Sequence, residues 1–134
     1  VNMLYLGCTV FVIYDNQYAG RFWPCIEFWM GMQMFTNDGG IRPQEDIHKC
    51  RIRLEGIGAA LGHEDVCFAM MRASWGVQPA FEILDRLSCD DILVTNQRDK
   101  DTQLKKITQL IQQLPSLYIE HVVSCSLNRG GPVV

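Results

Sequence analysis

The sequence predicts an α/β fold with a mainly parallel sheet, and three observations carry this prediction. Residues 8–14, CTVFVIY, are β-branched, aromatic and almost continuously apolar, which is typical of a strand buried on both faces. Residues 49–57, KCRIRLEGI, alternate between apolar and polar side chains, which indicates a strand with one polar face nearer a sheet edge. Helical patterns follow these runs, and strands that alternate with helices favour a parallel sheet.

The first strand leads into a helix through a short polar loop. Residues 15–20 form that loop, and residues 21–35 predict the helix. Pro24 is tolerated because its missing N–H falls in the first helical turn, where it has no helical partner. The turn residues TNDGG at 36–40 then end the helix, and residues 41–48 predict a loop.

Three further segments complete the predicted core. Residues 63–73 and 78–88 predict two short helices, and DDILVTN at 90–96 predicts a third strand. Three clear strands are few for a parallel sheet, and the chain opens on Val1 inside an apolar pattern. We therefore expect this chain to be a fragment of a longer protein.

In the second strand, residues 49–57, three apolar side chains alternate with three charged ones: Cys50, Ile52 and Leu54 against Arg51, Arg53 and Glu55.

The clearest helix is predicted for residues 101–114. Asp101 or Thr102 can cap its first turn, and Pro115 is expected to end it. We expect one domain over residues 1–118 and a C-terminal tail over residues 119–134. The helix carries an apolar stripe at helical spacing: Leu104, Ile107, Leu110, Ile111 and Leu114.

Composition excludes several classes of function. A chain of 134 residues with 48% hydrophobic residues fits one domain with a packed core. The net charge of −3 argues against a bulk electrostatic grip on nucleic acid, which needs a basic face. No apolar stretch reaches the roughly 20 residues that span a bilayer, so we expect no membrane segment here.

The six cysteines fit no zinc template, because none of them form a CxxC pair. Most lie in apolar segments, where a free cysteine behaves as a small hydrophobic residue. We interpret them as reduced thiols of a cytoplasmic protein, with a disulfide framework as the alternative. No cofactor and no metal site are predicted.

The junction after the first strand, YDNQYAGRFWPCIEF at 14–28, holds the strongest candidate site. Ligands of open α/β sheets bind beyond the carboxyl ends of the strands. Glu27 lies one helical turn after Trp23, and Tyr18 and Arg21 lie on the loop side of that face. A partly dry carboxylate beside aromatic rings has a raised pKa and can act in acid–base chemistry or bind a sugar hydroxyl. The alternative is a solvated Glu27, or one paired with Arg21, beside aromatic rings that belong to the core.

Two other patterns have simple structural explanations. His63, Glu64 and Asp65 are adjacent on a helix and do not share a face, so a first-turn role is favoured over a metal site. GIGAALG at 56–62 resembles a phosphate loop, but its third glycine comes one place late for a dinucleotide fingerprint. A loop that lets the chain turn explains these glycines without a ligand.

The segment VFVIYDNQYAGRFWPCIEFW resembles the central part of Toll/interleukin-1 receptor (TIR) domains. Those domains carry a buried strand, a loop that ends in Tyr-Ala, and a helix start of the type Ser-x-Trp-Cys-x-x-Glu. Tyr18 and Ala19 precede Trp23 at the spacing of the plant-type motif, and Glu27 falls where the family keeps its glutamate. The chain is more closely similar to TIR-like proteins of unicellular algae and other protists, over roughly residues 2–114.

The resemblance implies part of a flavodoxin-like, three-layer fold and a signalling role. In enzymatic TIR domains this glutamate is the catalytic residue of NAD⁺ cleavage, so Glu27 would take that role with NAD⁺ as substrate. Trp23 and Arg21 would help to bind the substrate, and Tyr18 would line the loop. Self-association, or assembly with other TIR-like domains, is the implied partnership.

Departures from the family pattern keep an alternative open. Pro24 stands where the family has cysteine, with Cys25 one place later, and Arg21 occupies the serine position. The family's first two strands, first helix and following loop are absent, and these supply part of its nucleotide pocket. The alternatives are thus an NAD⁺ glycohydrolase acting through Glu27, a non-catalytic interaction module, and an incomplete gene fragment.

Overall fold

The computed structural model describes the backbone of residues 3–38 and 40–128. It describes the side chains of residues 5–38 and 40–113. Four strands and four α-helices are described in that part of the chain: β1 Val10–Tyr14, α1 Phe22–Gly31, β2 Gln33–Phe35, β3 Ile41–Pro43, β4 Ile52–Gly56, α2 Glu64–Met71, α3 Ala80–Leu87 and α4 Gln97–Asn128.

The strands form two small sheets. β1 and β4 pair in parallel, from Val10 opposite Ile52 to Tyr14 opposite Gly56. β2 and β3 pair antiparallel, from Gln33 opposite Pro43 to Phe35 opposite Ile41. The prediction of a mixed α/β fold with a parallel sheet is confirmed at this level, with a sheet of two strands in the described residues.

The prediction that β1 is buried on both faces is wrong. Val10, Val12 and Tyr14 are buried, whereas Phe11 and Ile13 are exposed. Side chains alternate across a strand, so one face of the parallel sheet is covered and the other is open. An apolar run shows that a strand can be buried on both faces, but not that covering elements are present.

α1 covers the buried face and lies at the centre of the core. Most of its side chains are buried, because the sheet lies on one side and the segment before α3 on the other. Trp29 Nε1, for example, donates to the Gln78 carbonyl at 3.0 Å. The helix crosses the sheet closely at Gly31, where a Cβ atom would lie 3.0 Å from Val10 Cγ2 and 3.1 Å from Ile52 Cγ1.

Two boundaries around α1 and β2 differ from the sequence prediction. The helix ends at Gly31 rather than at residue 35, and residues 33–35 are a strand. Residues 41–43, predicted as loop, are its partner. The apolar methionines continue the helical pattern past Gly31. The backbone there nevertheless pairs with residues 41–43 as a strand, because hydrogen bonding to a distant segment outweighs local helix propensity.

The predicted strand at 90–96 is not formed. Its residues are turns and bends, with one isolated parallel bridge between Arg21 and Leu93. Leu93 N donates to the Gly20 carbonyl at 2.8 Å, and Phe22 N donates to the Leu93 carbonyl at 3.0 Å. The segment is thus tied to the start of α1 rather than to the edge of β4.

The last helix is longer than predicted. α4 runs through Pro115 to Asn128, so the prediction that Pro115 ends the helix is wrong. Proline disfavours a helix but does not forbid it, since the flanking turns keep their own hydrogen bonds. The backbone of 119–128, predicted as tail, is helical, and residues 129–134 lie outside the described residues.

Candidate functional site

Glu27 lies in the middle of α1, half-buried, next to two tyrosines from different elements. The Tyr5 hydroxyl, from the 3-10 turn Met3–Leu6, donates a hydrogen bond to the Glu27 carboxylate. Tyr18 comes from the 3-10 turn Tyr18–Gly20, which joins β1 to α1. The three side chains, Tyr5, Tyr18 and Glu27, are called the tyrosine–glutamate cluster below.

Burial sets the electrostatics of this cluster. Desolvation raises the pKa of the Glu27 carboxyl above its usual value, and the hydrogen bond from Tyr5 offsets part of that rise. Desolvation also raises the pKa of Tyr18, and the nearby Glu27 charge adds to the effect. The same two causes, in the same order, raise the pKa of Tyr5. The carboxylate is therefore partly withdrawn from water, which is one of the two alternatives that the sequence left open.

Tyr18 is held in place by the turn that precedes α1. Its N–H donates to the Asp15 carbonyl at 3.2 Å, and Gln17 N donates to Asp15 Oδ1 at 2.9 Å. The Tyr18 ring lies against Tyr14, with 5.3 Å between the ring centroids. The loop after β1 thus brings Tyr18 to the side of α1 that carries Glu27.

Trp23 faces a different space from the cluster. It is 37% exposed and meets Phe22 edge to face, with ring centroids 5.2 Å apart. With Arg21 and Leu93 it lines a shallow cavity of about 280 Å³, which Glu27 does not line. The structure therefore splits the predicted constellation into two parts, with Trp23 and Arg21 in one and Tyr18 and Glu27 in the other.

Arg21 does not take the ion-pair role that the sequence left open. Its guanidinium donates to the Gln17 side-chain oxygen. In the described part of the chain, the ion pair that forms is between Arg86 and Asp91, not between Arg21 and Glu27. Glu27 therefore depends on a phenol rather than on a cation for its partner.

The glycine-rich segment after β4 is explained by the turn that it makes. A Cβ atom on Gly56 would lie 2.2 Å from the Ala60 carbonyl oxygen, and Gly58 and Gly62 have φ values of +58° and +82°. A shallow cavity of about 270 Å³ lies between this turn and Asp15, at the carboxyl ends of β1 and β4. The glycines are required by backbone geometry, so the prediction that they let the chain turn is confirmed.

A larger cavity lies away from the tyrosine–glutamate cluster. It measures about 630 Å³ and is bounded by β4 and α2, with Ile52, Leu54 and Phe68 in its wall. Arg72 also lines it, and its Nη2 donates to the Glu45 carbonyl at 3.0 Å. No local motif in the sequence indicated this cavity, because its wall combines residues from separate elements.

The acidic first turn of α2 and the cysteines are the remaining candidates for metal ligands. No group of three His, Cys, Asp or Glu side chains that could hold a metal ion occurs among the described residues. Glu64 and Asp65 occupy the first turn of α2, as predicted, and Glu64 Oε1 accepts from Gly62 N at 3.2 Å. The cysteines whose side chains are described are free thiols, and Cys125 lies outside that set.

Comparison with protein families, with curated proteins and with solved structures finds no match for this chain. The TIR resemblance therefore stays a prediction. Within the described residues, no helix is both long enough and apolar enough to cross a membrane.

Proposed function

We propose that this chain is a TIR-like domain, part of a flavodoxin-like fold, that hydrolyses NAD⁺ through Glu27. One observation supports this best: the Glu27 carboxylate is half-buried and hydrogen-bonded by Tyr5 beside Tyr18. Among the carboxylates with described side chains, Glu27 is the one whose pKa is raised, while those of Asp38, Glu64 and Asp91 are lowered. Perturbed carboxyl groups of this kind concentrate at functional sites.

The proposed reaction needs one well-placed negative charge. The bond between nicotinamide and ribose breaks with its electron pair leaving on nicotinamide, and the ribose becomes oxocarbenium-like. A partly desolvated carboxylate stabilises that positive charge more strongly than a solvated one does. Water then adds to the ribose carbon and loses a proton, which gives ADP-ribose. The Tyr5 hydrogen bond fixes the orientation of the carboxylate during these steps.

The other residues implied by the resemblance take binding roles in this proposal. Trp23 and Arg21 line one shallow cavity, where an indole face and a guanidinium suit a flat ring and a phosphate. Tyr18 joins that side of the molecule to Glu27 through the turn before α1. One cavity at the start of α1 and a carboxylate in the middle of the same helix are compatible with a long, two-ended substrate such as NAD⁺.

A non-catalytic interaction module is the second candidate, and a specific observation favours it. Glu27 lines none of the three cavities described above. An interaction module has no need for a substrate pocket at Glu27, and self-association or assembly with other TIR-like domains would be its function.

The test follows NAD⁺ loss by chromatography at high protein concentration, with the parent chain, Glu27→Gln and Glu82→Gln. Glu82 is an exposed carboxylate on α3 and serves as the matched control. The proposal expects Glu27→Gln to lose at least about 100-fold in rate, while Glu82→Gln keeps the parent rate. Equal NAD⁺ loss in all three proteins would exclude Glu27 as the catalytic residue. No loss in any folded protein would leave the interaction module as the function.

A further inference from the structure

The cavity between β4 and α2 has no part in the function proposed above, and Glu27 does not line it. It is called the β4–α2 cavity below. Its volume of about 630 Å³ lies within the roughly 300–1,000 Å³ of small-molecule sites. Ile52, Leu54 and Phe68 give it an apolar wall, which is typical of such sites. Residues 90–96 are tied to the start of α1 and do not line this cavity.

Charged side chains lie at the two ends of the β4–α2 cavity. On α2, Glu64 and Asp65 line it at the first turn, and Arg72 lines it directly after the last turn. Eight residues of helix, at about 1.5 Å per residue, separate these ends by about 12 Å. Hydrogen bonds from main-chain N–H groups lower the pKa of Glu64, so its carboxylate is charged near neutral pH. Within the described residues the ion pair is between Arg86 and Asp91, so the two ends are not paired with each other.

Arg53 adds a second guanidinium at the Arg72 end of the cavity, which it also lines. Its Nη1 donates to the carbonyls of Cys50 and Ile52, at 3.0 Å and 3.1 Å, which places the guanidinium near the amino end of β4. Burial raises the pKa of the Cys50 thiol, and the charges of Arg72 and Arg53 offset part of that rise. Both guanidinium groups therefore lie near Cys50, and a carboxylate placed there meets two cations.

Arg72 has a donor left for a further acceptor. Its Nη2 donates to the Glu45 carbonyl at 3.0 Å, whereas its buried Nε has no hydrogen-bond partner among the described residues. An unpaired buried donor is destabilising, and folded proteins pair most of them. A small rotation of the side chain that brings Nε–H to a ligand oxygen removes this penalty. Arg72 also begins a π-helical turn, Arg72–Gly76, and such turns are frequent at functional sites.

The outer edge of β4 is closed to the addition of a further strand. Val10 N donates to the Arg51 carbonyl at 2.8 Å. The carbonyls of Cys50 and Ile52 therefore point away from β1, because main-chain groups alternate along a strand. The Arg53 guanidinium occupies both of these carbonyls, and charged side chains on edge strands oppose strand addition. A ligand of the cavity is thus bound through its charged ends and side chains rather than by strand pairing.

We propose that the β4–α2 cavity binds a short apolar peptide, about three residues long, with a free amino and a free carboxyl terminus. The peptide carboxylate lies between Arg53 and Arg72. Its ammonium group lies beside Glu64 and Asp65. Three residues of extended chain span about 10 Å, which matches the separation of the charged ends. The apolar side chains of the peptide contact Phe68 and the wall formed by β4.

The charge pattern disfavours simpler ligands of the same size. A monoanion with an apolar tail would put that tail against the carboxylates of Glu64 and Asp65, and a dianion would meet like charges there. A dication would meet the two guanidinium groups at the other end. The proposal goes beyond NAD⁺ hydrolysis and does not depend on it, because Glu27 lies outside this cavity.

The test titrates the isotope-labelled chain with the tripeptide leucyl-alanyl-leucine and follows its amide resonances by NMR. The resonances that shift should belong to β4, α2 and the turn after α2. The N-acetylated and the C-amidated tripeptide each lack one terminal charge and should each bind about tenfold more weakly. Leucyl-leucine should also bind more weakly, because it is too short to reach both charged ends.

Variants assign each end of the peptide to its partner. Arg72→Met should weaken the free tripeptide about tenfold and leave the affinity of the C-amidated form unchanged, because that form has no carboxylate to lose. Asp65→Asn should weaken the free tripeptide about threefold and leave the N-acetylated form unchanged. Arg98→Met and Asp99→Asn are the matched controls, since both residues are exposed in the first turn of α4, and should bind like the parent.

Three results would overturn the proposal. The first is that millimolar tripeptide shifts no resonance of β4 or α2. The second is that the capped tripeptides bind as tightly as the free one, which would leave an apolar cavity without charge recognition. The third is that Arg72→Met, with the circular dichroism spectrum of the parent, binds every peptide as the parent does. If Arg72→Met does not fold, the capped peptides on the parent chain decide the question.

Discussion

The two faces of the parallel sheet come from the same two strands and differ in what lies on them. On the covered face, Val10, Val12 and Ile52 are buried beneath α1, which approaches closely at Gly31. On the open face, Phe11 and Ile13 of the same strand are more than half exposed. The side chains of β1 are equally apolar on both sides, so the difference comes from which elements are present to cover them.

The comparison shows how burial is assigned in a sheet. A strand with apolar residues at every position can bury either face, and the position of the covering helix determines which one becomes core. The uncovered face keeps its apolar side chains and becomes a surface suited to another molecule. Three predictions follow from this contrast, beginning with the largest effect.

Arg51 lies at the margin of the covered face and joins four segments to it. Its guanidinium donates to the carbonyls of Tyr5, Cys8, Met30 and Gln33. The alternation with Cys50 predicted that Arg51 faces solvent, but Arg51 is half-buried. Burial of the guanidinium also lowers its pKa.

Replacing Arg51 with Met should therefore destabilise the fold by about 3 kcal/mol, because several carbonyls lose a charged donor. Urea unfolding monitored by circular dichroism measures the change. Arg53→Met on the open face removes the same charge and should cost less than about 1 kcal/mol. Equal losses in the two variants would contradict the different roles of the two arginines.

Val12 and Ile13 are neighbours on β1 that point to opposite faces, so they test the contrast directly. Val12 is 3% exposed and Ile13 is 56% exposed. Val12→Ala should cost about 2 kcal/mol through lost burial and a small cavity. Ile13→Ala removes more atoms and should still cost less than about 1 kcal/mol in dilute protein. A larger loss at Ile13 would mean that the open face is covered in the monomer.

Replacing Glu27 with Gln should change the free energy of unfolding least of the three, and the size of that change should depend on pH. Its raised pKa means that the folded state holds the proton more tightly than the unfolded state does. The stabilising contribution is complete below the unfolded pKa of about 4.3 and is lost as pH rises through the higher folded value. Glu27→Gln cannot ionise, so its stability relative to the parent should increase between pH 4 and pH 8.

Urea midpoints at the two pH values measure this prediction, and Glu82→Gln should remain within about 0.5 kcal/mol of the parent at both. A parent that gains stability over Glu27→Gln as pH rises would show that hydrogen bonding, not burial, dominates at Glu27.

The sequence predicted the parts of the candidate site that lie close together along the chain. The loop from β1 into α1 and the place of Glu27 on that helix follow from local patterns, while the burial of Glu27 was left open between two alternatives. Tyr5 was missed because its contact with Glu27 joins segments 22 residues apart, and no spacing rule connects them. The separation of Trp23 from Glu27 was missed too, since a shared helix face does not fix which neighbour each side chain meets.

Longer-range pairing accounts for the errors in the fold. Residues 33–35 and 41–43 form a hairpin only because they meet each other, and Leu93 is held by the main chain around Gly20 rather than by β4. Lys100 was likewise unforeseen: it is buried, and its Nζ donates to the carbonyls of Cys89 and Ile92 at 2.7 Å and 3.2 Å.

The sequence by itself determined the two strands of the parallel sheet, the helix that follows the first of them, and the position of one acid among aromatic side chains. These properties follow from residue types within one or two turns of the chain. Tertiary structure alone decided which face of β1 became core, which phenol binds Glu27 and where Arg51 donates. Each of these depends on a contact between distant segments, and its free energy exists only when the chain has brought them together.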